Sequence, residues 1–289
     1  MPAEPIDIVS FDFVRATRTP AARKLLRHSE GDAPVIEQPI RMVSCDTPEK
    51  SGYAGRPELA QRKLDECRAR LKGDFYKALL PKGLRNHLID KLDDGAAARH
   101  IAAGERASAE FDALLERRLL RDDGSRRSLA VMPTGEMVDT YGRLLAYFAP
   151  HFGGAEPLPP RSDARRRTLN LDMVASGWAA FFPVYPSLPS NGDLELAVGE
   201  AEAAWKKKRG AWDEFGRGLL LAYEYRACIK LADAQRPEDG VRAAFQRCCV
   251  DLRSGRDLGP YGYWDVPPPY RLWYWQADSL RARSDLGLA

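Results

Sequence analysis

I-R-M-V-S-C-D-T-P-E, residues 40–49, constrains the structure of this chain more than any other segment. Its largely apolar first part, Ile40 to Cys45, predicts a short strand. Pro48 fixes its own φ and disfavours helical backbone at Thr47, so the strand must end in a turn. We therefore expect a strand that delivers polar side chains to one edge of a sheet.

Arg41, Asp46 and Glu49 bring one guanidinium and two carboxylates into this segment. Such groups can hold a divalent cation against a phosphate and neutralise the charge that develops there. A structural role is the alternative. Asp46 or Thr47 would then cap the helix that begins near Pro57, and the other charges would be solvated.

Further blocks follow in order along the chain. They are D-T-Y-G-R-L-L-A-Y-F at 139–148, N-L-D-M-V-A-S-G-W-A-A-F-F-P-V-Y at 170–185 and E-A-E-A-A-W-K-K-K-R-G-A-W at 200–212. Together with R-M-V-S-C-D-T-P-E at 41–49, they resemble the staphylococcal nuclease (thermonuclease) family. The resemblance covers residues 24–73 and 128–213.

The resemblance implies an α+β fold built on a five-stranded antiparallel β-barrel of the oligonucleotide/oligosaccharide-binding (OB) type with packed helices. It also implies Ca²⁺-dependent hydrolysis of phosphodiester bonds in DNA or RNA. The implied metal ligands are Asp32, Asp46 and the carbonyl of Thr47. Glu49 would orient or deprotonate the attacking water, Arg41 and Arg143 would stabilise the charged phosphorus centre, and Tyr141 and Tyr185 would contact the substrate.

The chain departs from the family pattern at three places. Glu30-Gly31-Asp32-Ala33 stands where the family has D-G-D-T, Thr140 replaces a common Lys, and Pro183 replaces a second Tyr. The alternative function is therefore a catalytically weak or inactive module on the same barrel that binds nucleic acid or protein. Retention of Arg41, Glu49 and Arg143 favours the enzyme.

The matching blocks also predict the domain organisation. Residues 1–213 would form the barrel domain, interrupted by a helical insertion at about 72–127, and residues 214–289 would form a helical and aromatic C-terminal extension. Because loop closure entropy grows only logarithmically with length, we expect the barrel to fold without residues 74–122.

Periodicity supplies the remaining elements. Strands are expected at Ile6–Val14, Lys24–His28, Val35–Ile40, Ser128–Val131, Arg143–Phe148 and Phe181–Tyr185. Helices are expected at Pro57–Leu71, Gly83–Leu92, Ala96–Leu120, Asn170–Ala180 with Asn170 as its cap, Leu194–Lys208, Phe215–Ala234 and Val241–Leu252. The aromatic tail around Pro267 would pack on its own domain or stack on bases.

Composition sets broader limits. The 289 residues are 44% hydrophobic with a net charge of +3, so nucleic-acid affinity must come from local patches. The five cysteines form no C-x-x-C pair, which argues against zinc and against a disulfide framework. With no signal peptide and no long apolar segment, we expect a cytoplasmic protein away from membranes. The sequence does not indicate its oligomeric state.

Overall fold

The protein has a mixed α+β fold. The computed structural model describes residues 23–288 except 52, 140, 154 and 155. The strands are β1 (Leu25–His28), β2 (Pro34–Ile36), β3 (Ile40–Met42), β4 (Ser44–Asp46), β5 (Leu129–Val138), β6 (Leu144–Pro150), β7 (Ala180–Phe182), β8 (Arg247–Asp251), β9 (Arg256–Asp257) and β10 (Arg271–Trp275). The helices are α1 (Pro57–Lys72), α2 (Lys82–Ile89), α3 (Ala96–Leu119), α4 (Leu169–Ala175), α5 (Asn191–Lys206), α6 (Ala211–Glu214), α7 (Ala222–Asp233), α8 (Pro237–Ala244) and α9 (Ser279–Asp285). The strand expected at Ile6–Val14 lies outside the described residues.

The strands form several small sheets. Their orders are β3-β6-β5, β10-β8-β9, β4-β7 and β1-β2. β3 runs parallel to β6, whereas β5 pairs with β6 in antiparallel fashion. Within the described residues no sheet has more than three strands, so the five-stranded OB-type barrel stays a prediction.

The segment expected as one strand from Ile40 to Cys45 is two strands that belong to different sheets. β3 pairs with β6 and β4 pairs with β7. Ser44, the first residue of β4, has a φ of 59°. This left-handed conformation is uncommon for a residue other than glycine, and it turns the chain from one sheet to the other. The change of sheet carries Asp46 away from the β3–β6 pair and into the interior.

Asn170 stabilises this change of sheet. Its amide nitrogen donates to the carbonyl of Val43 at 2.9 Å and to that of Ala146 at 3.2 Å, and its oxygen accepts the backbone N–H of Phe148 at 3.1 Å. The expectation that Asn170 caps a helix is therefore wrong. The cap of α4 is Thr168, whose hydroxyl accepts the N–H of Leu171.

The helical insertion shares a core with the C-terminal extension. α1 presents Ala60, Leu64, Cys67 and Leu71 at helical spacing on one buried face. These residues belong to one apolar cluster with side chains from α2, α3 and α7, including Leu84, Leu88, Ile101, Tyr225, Cys228 and Leu231. Removal of the insertion would open this core, so the packing argues against the expectation that the remainder folds without it.

The C-terminal extension differs from its expected secondary structure at two points. The helix expected at Phe215–Ala234 begins only at Ala222. The helix expected at Val241–Leu252 ends at Ala244, and Arg247–Asp251 is strand β8. β8 pairs along its whole length with β10, which supplies tertiary contacts that override the local helical pattern. The aromatic tail packs on the protein itself, since Tyr263, Trp273 and Tyr274 are buried.

All five cysteines are free and buried. In the part of the chain that the structure describes, no helix combines the length and apolarity needed to cross a membrane.

Candidate active site

Asp46 lies at the centre of a charged cluster built from two separate parts of the sequence, residues 41–49 and α7. Its side chain is 1% exposed. Oδ1 accepts a hydrogen bond from Nη2 of Arg41 at 2.8 Å, and Oδ2 accepts one from Nη2 of Arg226 at 2.7 Å. Burial alone would raise the pKa of Asp46, but Arg226 and Arg41 together hold this pKa below its ordinary value. Asp46 is therefore an ionised, buried carboxylate and not a helix cap. The N-cap of α1 is Arg56.

Arg226 also joins Asp46 to Glu49. Its Nη1 donates to Oε1 of Glu49 at 2.5 Å and lies 3.3 Å from Oδ1 of Asp46. Burial disfavours the charge of Arg226, yet the attraction of Asp46 and then of Glu49 raises its pKa above the ordinary value. One guanidinium from α7 thus lies between the two carboxylates that the sequence assigned to the site.

A second buried carboxylate fixes the position of α7. Oε2 of Glu224 accepts the backbone N–H of Leu221 at 3.0 Å, which caps the helix. The same carboxylate contacts Nζ of Lys91 at 2.6 Å and Nε2 of His87 at 2.7 Å. Because Glu224 is fully buried and precedes Arg226 by two residues, these contacts with the insertion hold Arg226 in register with Asp46.

The D-T-P-E turn rests on α3. Nε2 of His100 accepts the backbone N–H of Glu49 at 2.9 Å, and Nδ1 lies 3.0 Å from the carbonyl of Leu220, to which it donates. Burial lowers the pKa of His100 to about 4, which keeps the ring neutral and suits this pair of contacts. The ring also stacks on Tyr225 at 3.9 Å.

Gly104 allows α3 to approach this closely. A Cβ at position 104 would lie 2.6 Å from the carbonyl oxygen of Glu49 and 2.8 Å from that of Pro48. No side chain can fit there without moving the helix or the turn. The insertion therefore supports the backbone that carries Glu49.

Arg143 lies directly before β6, the strand that pairs with the strand of Arg41. Arg41 is opposite Leu145 in the β3–β6 register, and Arg143 precedes Leu145 by two residues. The guanidinium of Arg143 bonds Asp139, with Nε 2.8 Å from Oδ2.

Tyr141 lies next to Arg143. The guanidinium of Arg143 is 5.3 Å from the centre of the Tyr141 ring, and this tyrosine is 76% exposed. Asp139 accepts the backbone N–H groups of both residues at 2.9 Å, which holds the Y-G-R turn. Thr140, a position of departure from the family pattern, lies outside the described residues.

Tyr185 lies in a different environment. It is buried against Tyr274 and Leu272, and its hydroxyl donates to Asp285. The neighbouring Pro183 accepts the backbone N–H of Trp273 at 2.9 Å. Contact between Tyr185 and a substrate stays a prediction.

The residues expected to hold Ca²⁺ do not fit that ion in this arrangement. Both oxygens of Asp46 bond guanidinium groups, and Oε1 of Glu49 bonds Arg226. Asp32 lies in the exposed turn between β1 and β2. Among the residues described, no three His, Cys, Asp or Glu side chains are grouped to bind a metal. An ion could reach Asp46 and Glu49 only after Arg226 had moved.

Thr47 lines a cavity of about 540 Å³ next to the cluster. The cavity lies between the D-T-P-E turn and α3, and its other lining residues are Met42, Cys45, Pro48, Glu49, Lys50, Tyr53, Gly104, Ala107, Ser108, Phe111 and Met173. Most of its exposed wall is apolar, and Glu49 and Lys50 are the charged residues that line it.

The structure brings together Arg41, Asp46 and Glu49 from the predicted set and places Arg143 and Tyr141 in the turn directly before β6. Sequence reasoning missed Arg226 and His100. Arg226 lies 180 residues from Asp46, and no local pattern marks it. His100 on a helix of the insertion offered only the signal of an isolated histidine.

A comparison with protein-family models and with curated proteins finds no match for this chain. The resemblance to the staphylococcal nuclease family therefore rests on the ordered sequence blocks.

Proposed function

We propose that this chain hydrolyses phosphodiester bonds of DNA or RNA, and that Arg41, Glu49 and Arg143 act on the phosphate. The observation that supports this most directly is the β3–β6 register, in which Arg41 lies opposite Leu145 and Arg143 directly precedes β6. Two planar guanidinium groups at neighbouring strands suit the bidentate binding of phosphate oxygens as charge accumulates on them.

Glu49 supplies the basic group of this proposal. It belongs to the cluster through Arg226 and its backbone is held by His100. A carboxylate at the edge of a phosphate site can orient a water molecule and accept its proton. Tyr141, exposed beside Arg143, would contact the substrate next to the scissile phosphate.

The OB-type barrel and the Ca²⁺ requirement belong to the same proposal. β3, β5 and β6 would be three of the five barrel strands. Asp46, the Thr47 carbonyl and Asp32 would be the calcium ligands, but only in a state in which Arg226 has left the carboxylates. We infer no catalytic step through the ion.

A binding module without hydrolysis is the second candidate. The observation that favours it is the position of Arg226, which neutralises both carboxylates of the site. Such a module would bind nucleic acid, or a protein partner, on the same surface.

Cleavage of labelled single-stranded and double-stranded oligonucleotides, with Ca²⁺ and with excess chelator, tests the proposal. We expect cleavage with Ca²⁺ that is lost in chelator and in Arg41→Ala. Binding without cleavage in every condition would favour the second candidate, and equal cleavage in chelator would remove the Ca²⁺ requirement.

A further inference from the structure

A group of basic side chains lies beside the carboxylate cluster, on the C-terminal extension. Arg226 and Lys230 are four residues apart on α7 and therefore share a helix face. Arg247 begins β8. These three residues line a cavity of about 40 Å³, together with Tyr223, Ala227, Ala244, Phe245 and Gln246.

Arg247 is partly buried and, among the described residues, forms no ion pair with a carboxylate. Its guanidinium lies 3.8 Å from the centre of the Trp275 ring and 5.6 Å from that of Phe182. Its Nε is buried and has no hydrogen-bond partner among the described residues. Burial, and then repulsion by Arg226, lowers the pKa of Arg247 to about 10. A buried donor without an acceptor is costly, and so is a buried charge without a counter-charge.

Lys230 adds a second uncompensated charge. Its Nζ donates to the carbonyl of Ala243 at 3.0 Å. Burial, and then repulsion by Arg247 and Arg226, lowers the pKa of Lys230. Asp46 and Glu49 already bond Arg226, so the positive charge of Lys230 and Arg247 is in excess at this cavity.

We propose that this cavity binds a phosphate-type oxyanion between Lys230 and Arg247. An oxyanion there would accept hydrogen bonds from the guanidinium of Arg247 and the ammonium of Lys230 and relieve the repulsion between the cations. The cavity is large enough for about three water molecules, which is the space that the oxygens of one bound phosphate face would need. The oxyanion comes either from free phosphate or from the backbone of a nucleic acid.

The nucleic-acid source rests on the proposed function, because Arg226 connects this cavity to Asp46 and Glu49. A strand that presents one phosphate to Arg41 and Arg143 would then present another to Lys230 and Arg247. The oxyanion site itself does not depend on hydrolysis.

The test uses the full chain and three variants: Arg247→Gln, Lys230→Gln and Arg242→Gln. Arg242 is an exposed residue of α8 outside the cavity and provides the matched loss of one charge. Calorimetry measures binding of inorganic phosphate. Fluorescence anisotropy measures binding of a labelled single-stranded oligonucleotide in chelator over a series of salt concentrations.

We expect Arg247→Gln and Lys230→Gln each to weaken phosphate binding about tenfold or more, as loss of a charge-assisted hydrogen bond requires, while Arg242→Gln binds as the wild type does. If a backbone phosphate is the source, oligonucleotide affinity falls in parallel, and the salt slope decreases by about 0.7 for each lost contact. If free phosphate is the source, only phosphate affinity falls.

Equal phosphate affinity in all four proteins, or no measurable binding by the wild type, would overturn the site. Lys230→Gln decides the matter if Arg247→Gln does not give the wild-type circular dichroism spectrum. Phosphate binding that depends on Arg247 in a protein without nuclease activity would keep the site and reject the proposed function.

Discussion

His100 accepts the backbone N–H of Glu49 at 2.9 Å, so a helix of the insertion holds the turn that carries a proposed reactive carboxylate. The same ring donates to Leu220, directly before α7, which delivers Arg226 to the other end of that carboxylate. The neutral imidazole of His100 thus links the D-T-P-E turn to α7, whose Arg226 compensates the charge of Glu49.

Replacement of His100 by Gln should change the pH dependence of stability. The pKa of His100 is about 4 in the fold and near 6.5 in an unfolded chain, so the unfolded state takes up the proton first as pH falls. The wild type should therefore lose stability from about pH 6.5 down to about pH 4, by roughly 2–3 kcal/mol from this residue.

Urea denaturation at pH 7 and pH 4.5 measures this effect. His100→Gln keeps an acceptor for Glu49 but cannot titrate, so its stability should fall less over that interval than the stability of the wild type. Equal losses in both proteins would mean that the pKa of His100 is the same in the folded and the unfolded state.

Gly104→Ala should destabilise the protein by about 1–3 kcal/mol, because the new methyl group meets the carbonyl of Glu49. Gly199→Ala is the matched control. It also lies within a helix, and a Cβ there meets nothing within 4 Å. This control should gain about 0.5–1 kcal/mol. Thermal unfolding compares the two, and similar shifts for both would contradict the close packing of α3 on the turn.

Arg226→Gln should make the carboxylates accessible to Ca²⁺. In the wild type the ion must displace a guanidinium that bonds both carboxylates. The variant should be less stable than the wild type by about 3–5 kcal/mol, since Asp46 stays buried with Arg41 as its remaining guanidinium partner. Added Ca²⁺ should then raise the unfolding temperature of the variant more than that of the wild type.

Arg226→Lys keeps the charge and serves as the control, with a response to Ca²⁺ close to that of the wild type. Adding Asp32→Asn to Arg226→Gln tests whether Asp32 also binds the ion, since loss of that ligand should reduce the rise in unfolding temperature with Ca²⁺. Identical Ca²⁺ responses of Arg226→Gln and the wild type would show that Arg226 does not compete with the metal.

Arg143→Lys separates catalysis from binding. If Arg41 and Arg143 hold the phosphate most strongly in the transition state, Arg143→Lys and Arg41→Lys should each lose roughly two to four powers of ten in kcat, with little change in KM. Single-turnover cleavage measures the rates, and circular dichroism checks folding. Rates within about threefold of the wild type for both variants would make these arginines ordinary surface residues.

Replacement of residues 74–122 by a short Gly-Ser linker should abolish cooperative unfolding. The deletion removes Leu84, Leu88 and Ile101 from the shared core and leaves Glu224 buried without His87 and Lys91. Urea titration followed by tryptophan fluorescence measures the transition. A single sharp transition near that of the full chain would show that the remainder folds independently.

The sequence predicted local elements well where one face is buried at a regular spacing. α1 begins at Pro57 and α3 at Ala96, as expected. β5 and β6 include the strands expected at Ser128–Val131 and Arg143–Phe148, but β5 continues to Val138. It failed at Arg247–Asp251, where pairing with β10 overrides a helical pattern. It also treated 40–45 as one strand, because the left-handed conformation of Ser44 has no signal in a non-glycine residue.

In the candidate site, too, the sequence predicted what depends on neighbouring residues and missed what depends on distant contacts. The D-T-P-E turn was located from neighbouring residues, and the Asp46–Arg41 pair lies within the same segment, residues 40–49. The contacts of Asp46 and Glu49 with Arg226, and of Glu49 with His100, join residues far apart in the chain. Those contacts depend on how α3 and α7 pack, which no short pattern determines.

Arg226 follows Asp46 by 180 residues, and this separation affects how the protein is made. At ordinary rates of synthesis, roughly 10–40 s pass between the translation of the two residues. During that time the D-T-P-E turn exists without α7, and the carboxylates of Asp46 and Glu49 lack the positive charge of Arg226 that later lies between them. A chain that ends before α7 would never form this cluster, so the ribosome must complete most of the polypeptide before the site can be assembled.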